Sequence, residues 1–159
     1  MTTHDFGDKL KEGQRAEAFL DRFFSRDYFI APTTRAEQRQ GIDRWFTRRT
    51  SGARFAVEYK SDKAASRTGN AFVETTSVDT AGKAGWAFTS HADVLVYYLP
   101  DDELLYVLTM PKLRAVLPTW IAGYPKRPAR NREYNTWGLC VPLCEFERHA
   151  EVINLAESK

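Results

Sequence analysis

The chain has 159 residues, 43% of them apolar and 13% aromatic, and a formal net charge of +2. Such a chain is long enough to bury one core, so a single domain is expected across residues 1–159. No run of about twenty apolar residues spans a membrane, the opening stretch MTTHDFGDKLKEG lacks the apolar core of a signal peptide, and Cys140 and Cys144 do not make a disulfide scaffold. A soluble cytoplasmic protein is the expectation.

In chain order, Asp8 to Arg26 predicts a helix whose face is formed by Ala16, Phe19, Leu20, Phe23 and Phe24. Glu17 lies on the rim of that face, and Glu12, nearer its middle, is a rival for the same position. Tyr28–Ala31 reads as a short strand ended by Pro32, and Thr33–Gln40 as loop or helical turn. Two strand-like runs follow, Gly41–Phe46 and Ala53–Lys60, joined by a basic turn containing Ser51-Gly52. Alternation along the second run puts Phe55, Val57 and Tyr59 on one face, and Ala56, Glu58 and Lys60 on the other.

Ser61–Gly69 is a polar loop offering Arg67 and Thr68 to a phosphate, and Thr68-Gly69-Asn70 forms a polar turn. Asn70–Ser77 predicts a strand with Asn70, Phe72, Glu74 and Thr76 on one side. A turn at Thr80–Gly85 precedes a short helical piece at Trp86–Ser90. Ala92–Leu99 is the most hydrophobic run and predicts a buried central strand, followed by a turn at Pro100-Asp101-Asp102 and a strand over Glu103–Met110. Pro111 opens a helix with Leu113, Val116 and Leu117 inside, limited by Pro118. Gly123–Asn135 reads as loop, Asn135–Leu143 as a last strand and Glu147–Ala156 as a terminal helix. The order predicts an α/β or α+β sheet protein.

Charge is unevenly placed. Lys112, Arg114, Lys126, Arg127, Arg130 and Arg132 fall in a stretch without Asp or Glu, while Arg35, Arg39, Arg44, Arg48, Arg49 and Arg54 flank the carboxylates of the central hairpin. A basic surface around an acidic centre suits a polyanion that is attracted and then meets a metal. Asp43 and Glu58 offer oxygen ligands to Mg²⁺, the Tyr59 carbonyl another, and Lys60 is placed to orient or deprotonate an attacking water. Glu74 and Asn70 are candidates for a supporting shell. Three further groups carry competing readings. His91 beside Asp93 is either an acid–base pair or a structural histidine; Cys140, Cys144 and His149 have a zinc-like spacing without a fourth ligand; Trp120, Tyr124, Tyr134 and Trp137 either stack on unpaired bases or build core and interface.

Asp43, fourteen intervening residues and then Glu58-Tyr59-Lys60 resemble the signature of the PD-(D/E)xK nuclease superfamily. Gly13-Gln14-Arg15-Ala16-Glu17 is similar to the G-x-x-x-E segment of its Holliday-junction-resolvase branch. The resemblance covers roughly the first sixty residues. It implies a restriction-endonuclease-like core, with a central mixed sheet flanked by helices, and a catalytic set of Glu17, Asp43, Glu58 and Lys60. Two Mg²⁺ ions replaceable by Mn²⁺, and a homodimer cutting paired strands of branched DNA, are implied as well. Ile42, not proline, precedes Asp43, and a loop and strand over 61–77 stand where many members have a simple helix. The expected function is a Mg²⁺-dependent, structure-selective DNA endonuclease of prokaryotic or phage type. The alternatives are a restriction, repair or recombination nuclease on linear DNA, and a non-catalytic nucleic-acid-binding protein. Arg44, Arg48, Arg49, Arg67, Lys126, Arg127, Arg130 and Arg132 are the expected contacts to nucleic acid.

Overall fold

The computed structural model of the chain describes residues 3–158. The amphipathic N-terminal segment forms α1 (Thr3–Phe24), which begins earlier than its apolar stripe, no proline standing in the preceding turns and Gly7 and Gly13 being accommodated within them. Strand β1 (Tyr28–Pro32) follows, and the ambiguous stretch after it is a helical turn, α2 (Arg35–Arg39). Its start is set by a capping box, with Thr34 accepting from the Glu37 backbone and Glu37 accepting from the Thr34 backbone.

The first strand of the central hairpin is β2 (Arg44–Arg48), shifted along the chain from the expected Gly41–Phe46. Gly41 has φ +80°, a left-handed turn that cannot continue a strand, and extended pairing starts only where the Asp43 N–H donates to the Val57 carbonyl. β3 (Arg54–Ser61) is antiparallel to β2 and matches its expected range closely. The chain then leaves the sheet through α3 (Ala65–Thr68), β4 (Asn70–Val78), β5 (Lys83–Ala84) and α4 (Trp86–Thr89). It returns as β6 (Val94–Leu99), parallel to β3 with Glu58 opposite Leu95 and Lys60 opposite Tyr97.

After β7 (Leu104–Thr109) comes α5 (Met110–Gly123), capped by Thr109, which accepts from the Lys112 N–H. Pro118 sits inside α5 on its exposed side without ending it. The stretch expected to be a loop over 123–135 contains an edge strand, β8 (Lys126–Arg130), exposed along its whole length and paired with β9 (Asn135–Pro142). An edge tolerates Pro128 because a missing N–H there leaves no ladder bond unmade. The expected terminal helix is replaced by a short α6 (Leu143–Glu147) and a strand, β10 (Glu151–Asn154), on the open edge of β7. Val152 and Ile153, both β-branched, favour the strand.

These strands make a six-stranded mixed sheet, ordered β1-β2-β3-β6-β7-β10, and a four-stranded antiparallel sheet, ordered β5-β4-β9-β8. The α+β class and the central mixed sheet flanked by helices agree with the expectation. One face of the larger sheet packs under α1 through Leu20, Phe24, Phe46, Val57, Tyr59 and Val96. Its other face meets the smaller sheet, α5 and α6 through Leu95, Tyr97, Leu108, Val73, Trp120 and Phe146. Glu58 and Lys60, alternating with Val57 and Tyr59, therefore face away from α1 and toward the smaller sheet. Among the described residues no helix is long and apolar enough to cross a membrane.

Candidate active site

Asp43, immediately before β2, is held from both ends. Its main-chain carbonyl accepts from Thr33 Oγ1 at 3.0 Å and from Arg44 Nη1 at 2.8 Å, and its Oδ2 accepts from the Tyr59 N–H at 2.8 Å. The carboxylate is thereby fixed against the peptide that separates Glu58 from Lys60. Glu58 is 2% exposed; its Oε1 lies 2.9 Å from Lys60 Nζ, and its Oε2 is buried with no hydrogen-bond partner. A Cβ at position 41 would lie 3.0 Å from that oxygen and 2.6 Å from Ser90 Oγ, so glycine is what lets the α2–β2 turn close over it. Arg114 of α5 donates to the Ser90 carbonyl and secures the other side, a structural duty for one member of the second basic cluster.

Burial raises the Glu58 carboxyl above the ordinary carboxylate range; Lys60 and Ser90 oppose the rise and Asp43 adds to it. For Lys60, burial alone favours loss of the proton, but Glu58 outweighs it, aided by Asp43 and Glu74, and the ammonium form is favoured beyond the usual lysine range. Glu74 of β4 belongs to the same electrostatic group. Burial pushes it up, Lys60 and the Trp86 N–H pull it down, and Glu58 pushes it up again. Gly85 permits this approach, since a Cβ there would lie 2.4 Å from the Glu74 carbonyl oxygen. The structure thus joins Asp43, Glu58, Lys60 and Glu74, with Asn70 farther along the same face of β4 at a cleft bounded by Lys60, Glu74 and Trp86.

Glu17 is a correction. It lies on α1, which covers the opposite face of β3, and its Oε2 pairs with Arg44 Nη2 at 3.1 Å. Arg44 also meets Asp21 at 3.1 Å, and Asp21 accepts from the Tyr59 hydroxyl at 3.0 Å. Arg44 therefore ties α1 to the sheet, with a side chain only 15% exposed, and is not a free nucleic-acid contact. Glu12 pairs with Lys63 on the surface, 3.7 Å apart, so neither helix carboxylate joins the cluster.

Arg48 and Arg49 do not surround the carboxylates either. Their guanidinium carbons lie 5.2 Å from the centroid of the Tyr28 ring and 3.9 Å from that of Phe29, and Arg49 also donates to the Ser25 carbonyl. The length of β2 puts Arg48 roughly 17 Å from Asp43. Arg67, Lys126, Arg127, Arg130 and Arg132 are exposed. Arg127 is opposite Gly138, which is opposite Glu74, so it shares the cleft face of the smaller sheet.

The residues of the other competing readings have the following surroundings. Asp93 Oδ2 accepts from the Ala56 N–H at 2.7 Å, while His91 is exposed. His149 pairs with Glu145 at 3.2 Å, Cys144 is exposed on α6 and Cys140 lines the cleft. Trp120 is fully buried with its Nε1 on Glu145, and Trp137 donates to Asp79. Sequence reasoning missed Gly41, Ser90, Gly85 and Trp86. The only local signal was the recurrence of Gly and Ser at places where the chain turns.

Among the described residues, no three His, Cys, Asp or Glu side chains form a ready-made metal cage. Mg²⁺ needs less than that, since it is usually held by one or two carboxylates with water and substrate phosphate completing the octahedron. Asp43 and Glu58 fit this demand, because Glu58 presents a buried, unpartnered oxygen that a cation would satisfy. Comparison with family models, curated proteins and solved structures finds no match to the chain.

Proposed function

We propose that the chain is a divalent-cation-dependent nuclease that hydrolyses phosphodiester bonds of DNA, with Asp43, Glu58 and Lys60 at its centre. The observation that carries this reading is the Oε2 of Glu58, buried beside Asp43 and Lys60 with no hydrogen bond of ordinary geometry and only the Ser90 hydroxyl near it. An unpaired buried carboxylate oxygen is costly, and a site built to receive a cation explains its persistence.

Asp43, Glu58 and the Tyr59 carbonyl are the groups that would hold Mg²⁺ or Mn²⁺. When bound, such an ion polarises phosphate oxygens and makes water a better nucleophile at neutral pH. Lys60 enters as an ammonium, so its part is to orient the water and stabilise charge gathering on the phosphoryl oxygens, rather than to take the proton. In the overall step the water oxygen joins phosphorus and loses a proton to solvent, while the bond to O3′ breaks and O3′ takes up a proton from solvent, giving 5′-phosphate and 3′-hydroxyl ends. Glu74 adds to the negative field that keeps Lys60 charged.

The narrower expectation of junction resolution drew on Glu17, which Arg44 holds on the far face. The homodimer belongs with that narrower expectation. A substrate panel of four-way junction, flap, linear duplex and single strand, each with Mg²⁺ and with chelator, tests both levels. We expect Asp43→Asn and Lys60→Ala to lower cleavage at least a hundredfold while binding persists. Undiminished cleavage by the double variant would end the assignment, and equal rates on junction and duplex would end the resolvase reading. Tight, salt-sensitive binding with no turnover in Mg²⁺ or Mn²⁺ would leave a nucleic-acid-binding protein.

A further inference from the structure

The cleft beside Lys60 has a volume of about 450 Å³ and is lined by Lys60, Asn70, Phe72, Glu74, Trp86 and Tyr97, among others. That lies toward the lower end of the roughly 300–1,000 Å³ typical of small-molecule sites, which is room for one nucleotide unit. Two aromatic rings, Phe72 and Trp86, border it, and the Trp86 ring centroid lies 5.9 Å from Lys60 Nζ.

Phe72 is held in a particular way. A Cβ on Gly138, diagonal to it on β9, would fall 2.6 Å from two of its ring carbons, so the ring rests directly on the β9 backbone. Its own N–H donates to the Tyr97 hydroxyl at 3.0 Å, and that hydroxyl donates in turn to Asp62. The ring is thus pressed onto one strand and its backbone is tied to the larger sheet, leaving it half-buried at the cleft. Asn70, two residues earlier on the same face, donates to the Thr68 carbonyl, and its side-chain oxygen has no partner among the described residues. Arg127, across Gly138 on that face, is exposed and has no ion pair among the described residues.

We propose that this cleft receives one unstacked nucleobase of the strand to be cut, laid on Phe72 with its polar edge at Asn70 and a neighbouring phosphate at Arg127. The preferred substrate is therefore single-stranded DNA, or DNA locally unpaired at the cleavage site. The inference rests on the nuclease reading. A flat ring on a sheet face, with a polar group and a cation beside it, is the arrangement by which proteins hold unpaired bases without reading sequence.

Binding without turnover separates this from catalysis. Fluorescence anisotropy in Ca²⁺ would compare a labelled dT12 strand, an abasic strand of equal length and a matched duplex. We expect dT12 to bind about tenfold or more tightly than the abasic strand, the scale of one or two stacked bases, and more tightly than duplex. Phe72→Leu should abolish the preference for bases and Phe72→Trp should keep it, with thermal melts confirming that both variants fold. Equal affinity for base-bearing and abasic strands, a preference for duplex, or a preference that survives Phe72→Leu would overturn the proposal. A base preference without Mg²⁺-dependent cleavage would instead end the nuclease reading alone.

Discussion

Glu58 and Lys60 are coupled so closely that each sets the cost of the other. The Glu58 carboxyl is raised above its ordinary 4.5 by burial even with the ammonium 2.9 Å away. Replacing Lys60 with methionine removes the main group opposing that rise and leaves Glu58 facing Asp43 and Glu74. A carboxyl whose folded pKa lies above its unfolded one lends stability that is complete below the unfolded value and lost as pH rises through the folded one. Lys60→Met should therefore cost about 1–3 kcal/mol at pH 8, a range lowered from the buried-pair figure because the lysine is partly exposed. The deficit should shrink as pH falls toward 4.5 and Glu58 and Glu74 take up protons. Urea unfolding of both proteins across that range checks this, and parallel stability curves would refute it. The Asp43, Glu58 and Lys60 grouping was legible from strand alternation. Glu74 was legible as a candidate for a supporting shell, but its link to Lys60 was not, because Lys60 lies on a strand of the other sheet.

At the scale of elements, the contact between α1 and the sheet departs most from expectation. Its apolar part, Leu20 and Phe24 over Val57 and Phe46, follows from helix periodicity. Its polar part does not: Arg44 gathers Glu17, Asp21 and, through Asp21, the Tyr59 hydroxyl. Burial and Asp21 hold that phenol protonated well above the usual tyrosine range. Arg44→Leu should destabilise the fold by about 1–3 kcal/mol, since it leaves the Glu17 and Asp21 carboxylates and the Asp43 carbonyl without their shared cation. The loss should read as a lower urea midpoint at unchanged slope. A variant as stable as the parent would mean that α1 is held by its apolar face alone.

For the molecule as a whole, the crossover between β3 and β6 is decisive. By building β4 of the smaller sheet within that connection, the chain sets a second wall beside the face of β3 that carries Glu58 and Lys60 and creates the cleft. The exposed basic residues of β8 border that wall, whereas Arg48 and Arg49 lie at the far end of β2 against Tyr28 and Phe29. Removing Arg127 and Arg130 together should flatten the salt dependence of single-strand binding by about 0.7 in log–log slope for each lost phosphate contact. Removing Arg48 and Arg49 should leave that slope unchanged. Equal effects from the two pairs would put the nucleic acid on another surface.

Period-two alternation, an apolar helix stripe, a proline at a helix start and a glycine at a turn all act within a few residues, so the principal helices, β3, β4, β6 and the facing of Glu58 with Lys60 follow from the amino-acid order. The edge strands β8 and β10 do not, because an edge strand exists only where a neighbour offers it a ladder of free N–H and C=O groups. Nor does the allegiance of a charge: Glu17 and Glu74 look alike along the chain, yet one pairs with Arg44 beside α1 and the other feels the charge of Lys60 across the cleft. Burial and pairing arise from chain segments far apart in order and close in space, and it is folding that selects which carboxylate each cation neutralises.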